Sequence, residues 1–441
     1  MKDYVKDAVI YQINLRVFTK EGTIAAAEKF LPDVAATGAD IVYLCPFVES
    51  DDDPNPDFWS NRQKFSNCQN PRNPYRLMDF YKIDKEYGTA EDFKSFVTAA
   101  HKLNLKVMPD LVYMHAGPSF GKRYPDFVKK DEKGKVKLNS YFFCEIDFNS
   151  AELREYLWQN MEYFVREFDV DGFRCDVGGA IPLDFWVEGR RRIEKIKSPI
   201  IMLDENEIDF RPAEQDEAFD INYCQGWTQS VFPLIFSRGL PVTALKLMWD
   251  RVNTARPGAV VIRALEHHDT ANDGYYSRSE KISSAKCEAA YVLCYTIDGV
   301  PFLYNGCEYK DSTRHSIFGN KGQFTIDRSK DPAERSAFLR KLAEMHRTEP
   351  AFRDGSVEWL ENSEANTVCT YLRTAPNGEK ILCAINFGNE TVTVKCAGTE
   401  SFEKGEPLLE RGAKFCTGGL NLTANGFAVY KIFQGEKNGI L

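Results

Sequence analysis

Four apolar, β-rich stretches of this chain end in carboxylates, and three of the four add Arg or His: Asp110 with His115, Arg174 with Asp176, Asp204 with Glu205, and His268 with Asp269. Parallel barrels carry their working side chains at the C-terminal ends of strands, so these positions are the first candidates for chemistry. Three or more carboxylates converging with Arg and His would be costly in a folded core unless their charges were paired or used. Such groups act as acids, bases or nucleophiles according to which of them holds a proton. Arg174 lies two residues before Asp176, so on a strand both point to the same side. A guanidinium placed there is expected to keep Asp176 ionised at neutral pH.

A scaffold that brings these ends together is visible in the pattern of the chain. Between residues 9 and 350, short β-rich runs alternate with longer segments of helical period, which implies parallel strands joined by crossover helices. Candidate strands begin near Val9, Asp40, Leu105, Val170, Pro199, Ala218, Ala259 and Val300. Eight is the number that closes a (β/α)8 TIM barrel. Thr89 and Ser150, each followed by Ala-Glu, mark helix starts, and Pro182, Thr243, Ser283 and Asp331 fall near later ones. The stretch from Ala116 to Asp147 is long, weakly periodic and rich in Gly, Lys and Asp, as expected of a small subdomain overhanging a barrel mouth. After Pro350 short strands and turns (VEWLE, TVCTYLRT, KILCAINF, ETVTVKC, GFAVYKIF) predict an antiparallel β-sandwich. The expected division is therefore a barrel over 1–115 and 148–350, an inserted subdomain over 116–147 and a C-terminal domain over 351–441.

Composition narrows the function classes. With 441 residues, 43% hydrophobic and 27% charged, the chain is in the globular range. A net charge of -9 without a Lys/Arg stripe argues against a nucleic-acid partner. No apolar run reaches the roughly 18 residues that span a bilayer. The N-terminal residues lack the basic start, apolar middle and small-residue cleavage site of a secretory signal, so a cytoplasmic location is expected. The 12 Cys show no metal-ligand spacing and are expected to be reduced, buried thiols.

The strand ends, taken with their neighbours, resemble the ordered signatures of the α-amylase family, glycoside hydrolase family thirteen. DLVYMH at Asp110, GFRCDV at Gly172, MLDEN at Met202 and LEHHD at Leu265 are similar to its four main signatures. EIDFN at Glu145, GVPFLYNGCE at Gly299 and the stretch from Tyr75 to Thr89 resemble accessory ones, so the likeness covers roughly residues 8 to 350. The resemblance implies Asp176 as nucleophile, Glu205 as general acid/base and Asp269 as the third carboxylate that grips ring hydroxyls. It also implies that His115 and His268 bond sugar hydroxyls and that Tyr75 forms a platform under the ring; Asp110, following Pro109 at a strand end, is expected to hold Arg174 or to shape the pocket. Retaining hydrolysis needs one ionised carboxylate to attack the anomeric carbon and one protonated carboxyl to serve the leaving oxygen. Neighbouring acids, Asp204 and Glu207 for Glu205, are the rivals for these roles, and a helix cap is the rival role for Asp269.

Departures from the family pattern sharpen the expectation. Many members have Asn before the first His, where it helps to hold a structural calcium; this chain has Met114, and a thioether is a poor ligand for a hard cation. No cofactor is therefore required, a structural calcium is left as the alternative, and Asp51-Asp52-Asp53, a weak substitute for its site, reads as a solvated acidic turn. The second signature continues as VGGA, without the Lys-His pair of many endo-acting members, and His267 stands where Asn is common. The activity expected is hydrolysis of α-glucosidic bonds, α-1,4 in maltodextrins or starch fragments, with an oligosaccharide or polysaccharide as partner. Val177 after the nucleophile leaves α-1,6 cleavage as an alternative. Transglycosylation shares the intermediate, and a non-catalytic carbohydrate-binding barrel should have lost a member of the carboxylate trio.

Overall fold

The computed structural model describes residues 3–271, 278–396 and 403–432. Eight parallel strands form one sheet: β1 (Ile10–Ile13), β2 (Ile41–Leu44), β3 (Lys106–Leu111), β4 (Gly172–Cys175), β5 (Ile201–Glu207), β6 (Ile221–Tyr223), β7 (Ile262–Ala264) and β8 (Val300–Tyr304). They are hydrogen-bonded in the order β6-β5-β4-β3-β2-β1-β8-β7. A parallel bridge from Asn222 on β6 to Val261 beside β7 joins the two edges and closes the barrel. Six of the eight strands lie inside the runs expected for them, and β5 and β6 each extend one residue further, to Glu207 and Tyr223. The tail of the first run differs, because Leu15–Phe18 is a helical turn whose first amides are capped by the Asn14 side chain.

Crossover helices include α1 (Ala90–Lys102), α2 (Ala151–Phe168), α3 (Leu183–Ile193), α4 (Thr243–Ala255), α5 (Ser284–Thr296) and α6 (Ala333–Thr348). Thr89 and Asp92 form a reciprocal capping box on α1, and the Ser150 and Ser283 hydroxyls cap α2 and α5.

Side chains alternate along each strand and so serve two cores. Tyr11, Ile13, Val42, Leu44, Val107 and Phe173 face outward into the layer between barrel and helices. Ile10, Ile41, Tyr43, Met108, Ile201, Leu203, Ile221, Tyr223, Ile262 and Phe302 fill the barrel interior. One inward step further along the strands the filling turns polar: Gln12 after Ile10, Asp110 after Met108, Asp176 after Arg174, Glu205 after Leu203. The apolar plug thus forms the floor and the carboxylates form the mouth.

After β3 the inserted segment is pinned by a short antiparallel ladder between His115–Ala116 and Cys144–Glu145. The C-terminal unit contains β9 (Ser356–Trp359), β10 (Val368–Thr374), β11 (Lys380–Asn386), β12 (Val392–Val394), β13 (Glu406–Cys416) and β14 (Gly419–Ile432). β14 pairs with β11 through Phe427–Ile432, with β12 through Leu420–Leu422 and with β13 along most of its length, so the antiparallel sheet folds over itself as a sandwich. Along β11, Ile381, Cys383 and Ile385 join the barrel-side core while Leu382 and Ala384 join the inner one. Part of the expected 351–441 domain, residues 397–402 and 433–441, lies outside the described residues.

Of the 12 free cysteines ten are buried; Cys68 is half-buried and Cys416 exposed, a departure from the expectation of uniform burial. No helix among the described residues is long and apolar enough to cross a membrane.

Candidate active site

Arg174 organises the mouth of the barrel. Its inward position on β4 brings Nη1 to 2.8 Å from Asp110 Oδ1 and 2.8 Å from Asp176 Oδ1, while Nη2 lies 2.6 Å from Glu205 Oε2. The guanidinium is fully buried, and the rings of Tyr43, Tyr75 and Tyr223 surround it. A buried cation shared by three carboxylates is balanced only while all four groups remain, since loss of one partner strands the others in low dielectric. Asp110, further held by the Tyr43 hydroxyl at 2.6 Å, takes the clamping position expected of it.

The backbone after β4 makes this convergence possible. Val177 adopts the left-handed conformation (φ 44, ψ 43), an outlier for a β-branched residue of the kind retained at functional sites. The bend turns its N–H onto Glu205 Oε2 at 3.0 Å. A Cβ on Gly178 would lie 2.2 Å from Asp204 Oδ1, so the chain packs this closely only because that side chain is absent.

The two central carboxyls differ in proton affinity. Burial pushes Glu205 up to about 8, Asp176 and Asp269 add to the effect, and Arg174 opposes it. Burial also pushes Asp176 up, to about 6, against the pull of Arg174. Arg174 favours ionisation as expected, although desolvation outweighs it in setting the direction of the shift. At pH 7 Asp176 is still mainly ionised and Glu205 mainly protonated.

Asp269 behaves differently. Burial opposes its ionisation, but His268, Arg62 and His267 hold its carboxyl well below the usual carboxylate range. Burial itself pushes His267 and His268 down to about 4 and about 3, so near neutrality Arg62, 2.7 Å from Asp269, is the adjacent cation that is charged. The carboxylate pairs with Arg62, and among the described residues no helix starts at it.

Asp176, Glu205, Asp269, Tyr75, His115 and His268 all line one cavity of about 530 Å³, within the range of small-ligand sites. Arg174 lies beneath it. Among the described residues the buried His115 Nε2 forms no hydrogen bond of good geometry, although the Tyr75 backbone acts on the ring, whereas both nitrogens of His268 are engaged, Nδ1 by Gln12 and Nε2 by Tyr75. A ligand hydroxyl meeting His268 must therefore share or displace the Tyr75 hydroxyl. Tyr75 is near-coplanar with His268, with 9° between the rings. The rivals face elsewhere: Asp204 meets Asn222, and Glu207 accepts the Gly226 N–H.

Several lining residues were not anticipated: Arg62 from a short helix after β2, Tyr141 and Phe143 from the inserted segment, and Gln225, Gln229 and Ser230 after β6. Gln225 stands just past a strand end, a placement that could have flagged it. Arg62, on a single helical turn, and Tyr141, in the inserted segment, carry no such signal.

Among the described residues, those that could take a cation are otherwise engaged. Met114 presents a thioether where the calcium-binding members have Asn, and Asp51, expected to be solvated, is fully buried with its oxygens taken by the Asp53 and Ser119 amides. Asp52 pairs with Arg72 and Asp53 with Lys122. Ligand atoms of His267, His268 and Asp269 lie within 4.8 Å of one another. All four ring nitrogens, however, already have protein partners.

Residues 21–145 match the family model described as alpha amylase, catalytic domain. Alpha-amylase MalA of Haloarcula japonica is 25% identical over 422 residues, 90% of this chain and 58% of its own. An intracellular maltogenic amylase of Bacillus subtilis is 23% identical over 367 residues, 78% of this chain and 60% of the relative. The chain spans about three fifths of the length of these curated relatives. The crystal structure of the maltogenic alpha-amylase AmyB from Thermotoga neapolitana superposes with a TM-score of 0.77 at 27% identity, over 97% of each chain.

Proposed function

We propose that this chain, which belongs to the α-amylase family, is a retaining glycoside hydrolase cleaving α-1,4-glucosidic bonds in maltodextrins or starch-derived oligosaccharides. The observation that carries this reading is the convergence of Asp176 and Glu205 on Arg174 in one cavity, where burial raises Glu205 further than Asp176. Retaining hydrolysis asks for two carboxyls that differ in this way.

In the first step Asp176 attacks the anomeric carbon, the bond to the leaving oxygen breaks, and the Glu205 proton goes to that oxygen. In the second, Glu205 takes a proton from water, the hydroxide oxygen bonds to the same carbon, and Asp176 leaves as carboxylate. Asp269, kept ionised beside Arg62, offers oxygens to ring hydroxyls, and His115 lines the same cavity. The maltogenic titles of the relatives support α-1,4 linkages, and the intracellular title of one supports a cytoplasmic location. Val177, lining the cavity after Asp176, favours α-1,6 cleavage as the second reading.

The test is a product profile by mass spectrometry on maltotriose, pullulan, isomaltotriose and sucrose, with Asp176→Asn as control. Release of glucose and maltose from maltotriose, lost in the variant, supports the proposal. Products from isomaltotriose alone would replace it with the second reading, and equal, negligible turnover by both proteins would indicate a binding barrel.

A further inference from the structure

His267 is fully buried and lies outside the ring of residues that line the cavity, yet it is tied to Glu205 through one intermediary. The backbone N–H of Asp269 donates to His267 Nδ1 at 3.1 Å. An amide N–H can only donate, so Nδ1 must be bare, and a neutral imidazole then carries its proton on Nε2. That nitrogen faces the Gln225 side-chain oxygen at 3.2 Å. The amide orientation follows, and the Gln225 NH2 is left to donate to Glu205 Oε1 at 3.3 Å. The other oxygen, Oε2, is held from the opposite side by the Val177 N–H and by Arg174.

We propose that His267 and Gln225 act as positioning residues, a hydrogen-bond chain of fixed direction that orients the Glu205 carboxyl and favours its ionised form. The inference rests on the reading of Glu205 as the acid/base. With Gln225 on Oε1 and the Val177 N–H and Arg174 on Oε2, groups from two different strand ends fix the carboxyl plane and leave a lone pair of Oε1 for the transferred proton. Arg174, Asp176, Asp110, Asp269 and Tyr223 also act on Glu205, and Asp269, Arg174, Arg62 and Glu266 act on His267. Asp176 and Asp269 push the Glu205 carboxyl toward its protonated form, and the Gln225 donor works against them. Asn at position 267 would keep the acceptor for the Asp269 amide but fall short of Gln225, leaving that amide free to turn.

The experiment compares wild type with His267→Asn, Gln225→Met, the double variant and His267→Gln. Two readouts are used: the alkaline limb of kcat/KM on maltotriose, and an infrared titration of the Glu205 carboxyl, assigned by its loss in Glu205→Gln. The expected result is an upward shift of about half to one pH unit in either single variant, as for loss of one neutral donor to a carboxylate. The double variant should move no further than Gln225→Met alone, since both changes break one chain. His267→Gln, whose amide nitrogen can still reach Gln225, should restore most of the shift. An unmoved Glu205 titration in Gln225→Met, or additive shifts, would overturn the proposal. Absence of turnover in wild type with the infrared shifts intact would refute the assigned activity and leave the chain standing.

Discussion

Glu205→Gln should lose catalysis and gain stability, and both effects should depend on pH in a direction fixed by the site. In the folded protein the carboxyl is raised from an ordinary 4.5 to about 8, chiefly by burial. That difference of about 3.5 units corresponds to at most about 5 kcal/mol. Because the native state binds this proton more tightly than the unfolded chain, the stabilisation is fully present below about pH 4.5 and lost as pH rises through about 8. Gln mimics the protonated form and cannot lose it. Calorimetry should therefore find the variant and wild type alike near pH 4.5, and the variant higher in Tm by several degrees, ~2–5 °C, at pH 9. Wild-type kcat/KM should fall about tenfold per pH unit below 6, where Asp176 protonates, and above 8, where Glu205 ionises. On a sugar leaving group the variant should lose roughly 10²- to 10⁴-fold in kcat/KM. On a glucosyl fluoride, which leaves without a proton, its first step should be largely spared and the alkaline limb should vanish. Equal Tm at pH 9, or the same loss with both leaving groups, would refute the assignment of the proton to Glu205.

Three further outcomes follow from the same geometry. Arg174→Met strands Asp110, Asp176 and Glu205 without their cation and should destabilise by about 3–5 kcal/mol near neutrality, less at pH 5, as read by urea denaturation. Gly178→Ala puts a methyl 2.2 Å from Asp204 Oδ1 and should cost about 1–3 kcal/mol while lowering kcat, since it pushes on the bend that carries Val177 to Glu205. Treatment with EDTA should leave Tm unchanged within about 1 °C, because a cation bound to the native state would otherwise reveal itself by linkage; a drop reversed by calcium would show an oxygen cage.

Much of the scaffold is legible in the chain, for physical reasons that operate locally. Period-two alternation and capping residues such as Thr89 and Ser150 are set by neighbours a few positions away, so the strand ends at Asp110, Asp176, Glu205 and Asp269 could be located without coordinates. Where local chemistry was ambiguous the reading slipped. Leu15–Phe18 is as apolar as the strand before it and turns helical under an Asn14 cap, and Asp51 is as acidic as its neighbours yet is buried against the Ser119 amide. The contributions of Arg62, Tyr141 and Gln225 depend on where loops settle over the mouth, and loops carry little period to read.

Which residue types stand at which strand ends, and hence the eight-stranded frame and its ring of carboxylates, was determined by the sequence alone. The division of protons among those carboxylates was decided only by the tertiary structure. Asp176 and Glu205 are the same kind of acid in the unfolded chain, and they part company, about 6 against about 8, through burial and through neighbours brought together from distant positions. Desolvation and Coulomb forces act across space, so an acid's working state is settled by what folding places around it.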